Sequence, residues 1–160
     1  FLLIDTAPGV SACVASYCRA ASEVMEVVCN EPASIRDRVA QIRLFSSEYG
    51  VNRFRILANR VESAYEAQAL FQLIISQLTD NHTPQVSFAG YIPNDEKLRK
   101  AVSERQVVVT AYPRSRAAMA FKNLARRIAE WPQPDRAGGH IEFFVERLIS
   151  HENMEMEVVS

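Results

Sequence analysis

The sequence lacks several patterns that would assign a small protein to a class directly. Its three cysteines form no Cys-x-x-Cys pair and have no histidine at metal-ligand spacing, which argues against a zinc site. No run approaches the roughly 20 apolar residues that a membrane-spanning helix needs. A net charge of −1 gives no general case for nucleic-acid binding, so no direct nucleic-acid partner is expected. The odd number of thiols favours a reducing compartment, and we therefore expect a cytoplasmic protein.

The first ten residues are the stretch around which the chain is organised. An apolar run at residues 1–4 leads into Asp5, and Gly9 follows four positions later. The run predicts a strand buried on both faces, as in the middle of a parallel sheet. A carboxylate after such a strand lies where α/β folds bind ligands, and Gly9 lets a backbone N–H approach an anion. The alternative is a plain strand-to-helix turn in which Asp5 caps the helix.

Beyond this stretch, the pattern predicts strands that alternate with helices. Strands are predicted at residues 24–29, 54–58 and 86–91, and serines at positions 11, 34 and 115 are placed to cap helices. This alternation indicates an α/β fold with a doubly wound, mostly parallel sheet. We expect one domain over residues 1–131, a linker at 132–139, an amphipathic helix at 140–150 and a tail at 151–160.

Polar residues follow each predicted strand. Carboxyl ends of parallel strands meet at one edge of a sheet, so these residues are expected to lie together. They are Asp5, the pair Asn30 and Glu31, Asn59, and Asp95. The Asn59 amide offers both a donor and an acceptor, which can pair with an adenine edge. A guanine-selective switch protein would carry an Asp two residues after a Lys here, so the Asn-Arg-Val sequence at 59–61 disfavours guanine.

Five short motifs resemble, in order and spacing, the landmarks of the MinD/ParA class of P-loop ATPases. Within that class they are most similar to the flagellar-number regulators of the FlhG/FleN branch. The motifs are DTAPG at 5–9, CNEP-x-S at 29–34, ILANRV at 56–61, GYIPND at 90–95 and YP-x-S at 112–115. The resemblance implies a partial P-loop NTPase fold that binds ATP and Mg²⁺. It also implies a nucleotide-sandwich dimer that hydrolyses ATP slowly.

The resemblance also implies roles for individual residues. Asp5 matches the switch aspartate that orders the water shell of Mg²⁺, and Gly9 matches the switch glycine. Asn59 and Arg60 match the adenine-reading motif, whereas Pro93 and Asp95 match the loop that closes over the base.

The Walker A loop and switch I of such proteins have no counterpart in this sequence. The chain also begins within a predicted strand without an initiator methionine, so we expect an earlier portion to be missing. Phosphoryl transfer depends on the missing loop, and the chain alone is therefore expected neither to bind ATP tightly nor to hydrolyse it. The parent protein is expected to be an ATP hydrolase.

The last predicted helix carries an apolar stripe at i, i+3, i+4, i+7 and i+8, formed by Ile141, Phe144, Val145, Leu148 and Ile149. Similar proteins use such a helix to bind the inner membrane, which would make the protein peripheral there. Interfacial helices usually carry Lys and Arg, and this polar face is slightly acidic. A groove of its own domain, or of a partner, is therefore an alternative. The partners implied by resemblance are a second copy on ATP, a flagellar transcription activator and an SRP-type GTPase.

Other functions stay open on the residues alone. A partition protein or an amidotransferase-type synthetase would share the same ATPase fold. A receiver-like signalling domain would use Asp5 as the phosphate acceptor, with further acidic residues beside it and a lysine near the last strand. Glu31 supports that interpretation weakly and Asn59 opposes it. The GGHIEFFVERL sequence at 138–148 favours the flagellar branch.

Overall fold

A computed structural model of the protein describes residues 1–78 and 84–132. The predicted amphipathic helix and tail lie outside the described residues, as does the linker beyond Pro132. The elements of the described part are, in chain order, α1 (Ala12–Ala20), β1 (Val24–Cys29), α2 (Pro32–Tyr49), β2 (Arg53–Val61), α3 (Ala64–Gln77), β3 (Gln85–Pro93), α4 (Glu96–Ser103), α5 (Val108–Ala111) and α6 (Arg116–Ala129).

The described sheet has three parallel strands in the order β1-β2-β3. A helix connects each strand to the next, because parallel neighbours cannot be joined by a tight turn. α2 links β1 to β2, and α3 links β2 to β3. This arrangement confirms the α/β fold with a parallel sheet.

Helices cover both faces of the sheet, which makes it doubly wound. On one face, Val28, Phe54 and Ile56 are fully buried together with side chains of α1, α2 and α3. On the other face, Leu57 and Ile92 pack against α6. Alternate residues of β2 thus enter two different cores, since successive side chains of a strand point to opposite faces.

The prediction of a buried strand at residues 1–4 is wrong. These residues are irregular in the structure, and Phe1 and Leu3 are 92% and 82% exposed. A strand buried on both faces needs neighbours that bond its N–H and C=O groups, and no described strand pairs with this segment. The hydrophobicity of residues 1–4 is therefore not sufficient to make them a strand of the sheet.

Serine caps begin three of the helices. The hydroxyls of Ser11, Ser63 and Ser115 accept hydrogen bonds from backbone N–H groups in the first turns of α1, α3 and α6. Ser34 was predicted to cap α2, but that helix begins at Pro32, a residue favoured in the first turn. The hydroxyl of Ser34 instead accepts a hydrogen bond from the Cys29 N–H at 3.2 Å.

Candidate functional site

The carboxyl ends of the three strands form one edge of the sheet. Most of the site residues were predicted from the sequence to lie at this edge. The register aligns Asn59 with Cys29 on one side and with Ile92 on the other. Asn30, Asn59 and Asp95 therefore lie along one edge, as expected from parallel strands. Asp5 is not at a strand end, because its segment forms no strand.

Gly9 is tied to the body of the protein through α2. Its carbonyl oxygen accepts a hydrogen bond from Gln41 Nε2 at 3.3 Å, and its φ of +117° is one that glycine adopts readily. Gln41 Oε1 accepts from Arg38 at 2.6 Å, and Arg38 also contacts Glu26 at 3.2 Å. A chain of polar contacts thus runs from β1 through α2 to the Gly9 backbone. The catalytic roles of Asp5 and Gly9 stay predictions.

Asn59 presents an open amide near the end of β2. Its side chain lies on the same face as Leu57 and is partly exposed. Within the described residues it makes no side-chain hydrogen bond, so its donor and its acceptor are both available to a ligand. A group with this geometry can read a base that offers the complementary pair.

Arg60 bends the end of β2. Its φ is +59°, which is uncommon for a residue with a side chain, and the register with β3 shifts between Asn59 and Val61. The Arg60 guanidinium lies on the surface, 3.8 Å from a carboxylate oxygen of Glu31. An exposed pair of this kind contributes little to stability, so the arginine can exchange it for another anion.

A hydrogen-bond network not foreseen from the sequence connects the three strand ends. Its centre is Glu62, which directly follows β2. The Glu62 N–H donates to Glu66 Oε2 at 2.7 Å, and its Oε1 accepts from Asn94 Nδ2 at 2.7 Å. The Glu62 carbonyl accepts from Arg116 at 2.9 Å, and Asn30 donates to Glu66 Oε1 at 2.6 Å. The Ser63-x-x-Glu66 capping signature is the sequence signal that could have pointed to Glu66.

Both carboxylate oxygens of Asp95 are engaged by helix N-termini. Oδ1 accepts from the Lys97 N–H and Oδ2 from the Ala117 N–H, each at 2.8 Å. Desolvation opposes ionisation of Asp95, but the backbone hydrogen bonds and Arg116 outweigh it and lower its pKa. Asp95 therefore holds the end of β3, with the buried Pro93, against α4 and α6.

Comparison with known proteins gives two relatives and no matching family model. The chain is 45% identical over 151 residues to the antiactivator FleN of Pseudomonas aeruginosa PAO1, an alignment that covers 94% of the chain and 54% of FleN. The chain is homologous to FleN. It is also 22% identical over 126 residues to the flagellum site-determining protein YlxH of Helicobacter pylori, covering 78% of the chain and 42% of YlxH.

These relatives confirm the resemblance to the FlhG/FleN branch. The FleN alignment includes almost the whole chain. The chain spans about half the length of the curated relatives it matches.

A basic cleft opens beside the strand-end edge, between β3 and α6. Its volume is about 700 Å³, and Pro93 and Arg116 line the end nearest the edge. The other basic residues of the cleft are Arg114, Arg126 and Arg127. None of the cleft arginines forms a salt bridge within residues 1–78 and 84–132. Arg127 instead donates to the Ala89 carbonyl at 3.0 Å. Glu130 also lines the cleft, and the four arginines outweigh it, so the net positive charge favours anionic groups in the cleft.

Two further properties concern the described residues as a set. No helix among them is long and apolar enough to span a membrane. No group of three histidine, cysteine, aspartate or glutamate side chains in the same part of the chain is placed to hold a metal ion.

We expect Asp95→Asn to lower the free energy of unfolding by about 1–2 kcal/mol at neutral pH, since an amide has one acceptor oxygen and can keep only one of the two backbone N–H bonds. A lowered folded-state pKa contributes stability that is present above the ordinary Asp pKa and is lost as pH falls through the folded value. Urea unfolding should therefore show a deficit that shrinks as the pH is lowered from about 6 to about 3. Asp37→Asn, on the exposed side of α2, is the control and should have little effect at either pH. A deficit independent of pH would show that the charge of Asp95 is not what stabilises the loop.

Proposed function

We propose that this chain carries the adenine-reading edge and the switch segment of an ATP-dependent regulator of flagellar number and placement. The observation that carries the proposal is the open amide of Asn59 at the strand-end edge, in a chain homologous to FleN. The names of the two relatives, an antiactivator and a flagellum site-determining protein, favour flagellar regulation over partition or synthetase functions.

The described residues fit the base of ATP. The Asn59 amide would pair with the donor and acceptor of the adenine edge, and the cleft arginines provide positive charge for an anionic nucleotide. Pro93, at the end of β3, would cover the base, and Asp95 would hold this strand end in place. Arg60 is exposed beside this edge and able to leave its weak pair with Glu31.

The switch segment would act on the phosphate side. Bound ATP and Mg²⁺ supply the phosphoanhydride to be hydrolysed and the charge that neutralises it. Asp5 would orient water of the metal shell, and the backbone of Gly9 would approach the terminal phosphate. The contact between Gly9 and Gln41 would position that backbone from α2.

The partners of the whole protein follow from the same proposal. A second copy would bind when ATP is present, and a flagellar transcription activator is the partner that the name antiactivator favours. An SRP-type GTPase is a further partner proposed by resemblance. The apolar stripe of residues 141–149 would attach the protein peripherally to the inner membrane.

The decisive experiment is Asn59→Ala in the full-length protein. Loss of a paired base contact costs about 1–3 kcal/mol, so ATP affinity measured by calorimetry should fall about tenfold or more. GTP affinity should stay unchanged, since guanine does not present the edge that Asn59 reads. Asn52→Ala, an exposed asparagine just before β2 at the opposite edge of the sheet, is the matched control. Unchanged ATP affinity in Asn59→Ala would refute the base-reading role.

A further inference from the structure

We infer that Glu62 is a positioning residue that fixes the distance between the base-reading strand β2 and the loop after β3. The inference rests on the proposed function, because its purpose is to hold Asn59 and Pro93 in register around one ligand. Glu62 follows β2 immediately and bonds to three separate elements of the fold.

The need for a positioning residue comes from the irregular pairing at this edge. The register between β2 and β3 shifts between Asn59 and Val61, where Arg60 has a positive φ. Beyond this shift the ladder continues with only one residue pair, Val61 opposite Pro93, so regular pairing alone does little to fix the two strand ends. The Asn94 N–H donates to the Val61 carbonyl at 2.8 Å, and the Glu62 carboxylate adds the bond to the Asn94 amide.

Other contacts hold the groups on both sides of the hydrogen bond between Glu62 and Asn94. Its N–H is held by Glu66, whose pKa is lowered by that hydrogen bond and by the one from Asn30. Its carbonyl is held by Arg116 at the start of α6. On the other side, Asn94 Oδ1 accepts from Arg99 of α4 at 2.8 Å, so the Asn94 amide cannot rotate freely. The carboxylate thus joins two parts that are each fixed independently.

The exposure of Glu62 distinguishes a positioning role from a role in the stability of the fold. Its side chain is exposed and belongs to none of the apolar clusters of the described residues. Removing it should therefore cost little stability, since exposed polar contacts contribute modestly. The effect should appear instead in how well the edge reads a base.

The test uses Glu62→Ala in the full-length protein, with ATP and GTP binding followed by calorimetry. Loss of one directional hydrogen bond should weaken ATP binding about threefold to tenfold and reduce the preference for ATP over GTP. The melting temperature should stay within about 2 °C of the parent. Glu62→Gln keeps an oxygen that can accept from Asn94 and should restore the parent affinity. Glu48→Ala, an exposed glutamate near the end of α2 and away from the Asn94 contacts, is the control.

A double variant distinguishes this inference from the proposed function. If Glu62 acts by positioning, Glu62→Ala should weaken ATP binding little further once Asn59 is alanine. Additive losses would overturn the inference, because the two residues would then act independently. If Asn59→Ala weakens ATP binding and Glu62→Ala does not, the inference is overturned but the proposed function stands. Absence of ATP binding by the parent protein would refute both.

Discussion

Replacing Arg38 with alanine is expected to lower the free energy of unfolding by about 3 kcal/mol at neutral pH. Glu26 is 4% exposed on β1, and the Arg38 guanidinium lies 3.2 Å from its carboxylate. Removal of the cation leaves a buried carboxylate without its charged partner, which is among the costly single changes in a protein. The Arg38 side chain is 23% exposed, so the lower end of the usual range applies.

The loss from Arg38→Ala should depend on pH. Desolvation raises the pKa of Glu26, while the hydrogen bond and the charge of Arg38 oppose the rise. Without the arginine the folded-state pKa rises further, and the variant loses more stability as pH increases through that value. The deficit measured by urea unfolding should therefore be smaller at about pH 5 than at about pH 7.5. At the lower pH, Glu26 can bind a proton and so avoid a buried, unpaired charge.

The companion variant for this prediction is Glu26→Gln. It removes the buried charge, so Arg38→Ala made in that background should cost clearly less than in the parent. The paired change of Glu26→Leu with Arg38→Met should be close to neutral, because apolar side chains of similar volume can replace a buried ion pair. Equal costs of Arg38→Ala in both backgrounds would mean that its packing, and not its charge, stabilises α2 on β1.

Much of the fold could be predicted because local signals and tertiary packing agree. The boundaries of β1 match the predicted strand, since an apolar run there is bounded by polar turn residues. Gly50 ends α2 in the left-handed conformation, with φ of +66°, which glycine adopts without steric cost. Ser11 and Ser115 cap the helices expected of them.

The errors arise where a local pattern needs a partner that the sequence does not specify. Ser34 has the right spacing for a cap, but Pro32 starts the helix earlier and the serine bonds to the end of β1 instead. The strand-end edge was foreseen at Asn59 and Asp95 because parallel strands place their ends together. Glu62 was not, because its role depends on three elements that are distant in sequence and meet only in the fold.

Ile56→Ala should cost about 3–4 kcal/mol of unfolding free energy, whereas Leu3→Ala should cost less than about 0.5 kcal/mol. Both changes remove three carbon atoms from an aliphatic side chain. Both residues lie in segments whose sequences predict a buried strand. Ile56 is fully buried between β2 and the helices on one face of the sheet. Its removal leaves a cavity that close-packed neighbours fill only partly. Leu3 is 82% exposed, so its removal changes little apolar burial.

The comparison tests whether burial or hydrophobicity decides the contribution of a residue here. Urea unfolding of the parent and the two variants, at one pH and temperature, measures both losses on the same scale. Comparable losses for Ile56→Ala and Leu3→Ala would contradict the exposure of Leu3. They would mean that residues 1–4 form a packed strand. A loss confined to Ile56→Ala would show that Leu3, unlike Ile56, contributes nothing to the core formed by β1, β2 and β3. Gly9 would then be positioned by its contact with Gln41 of α2, which Arg38 holds in turn.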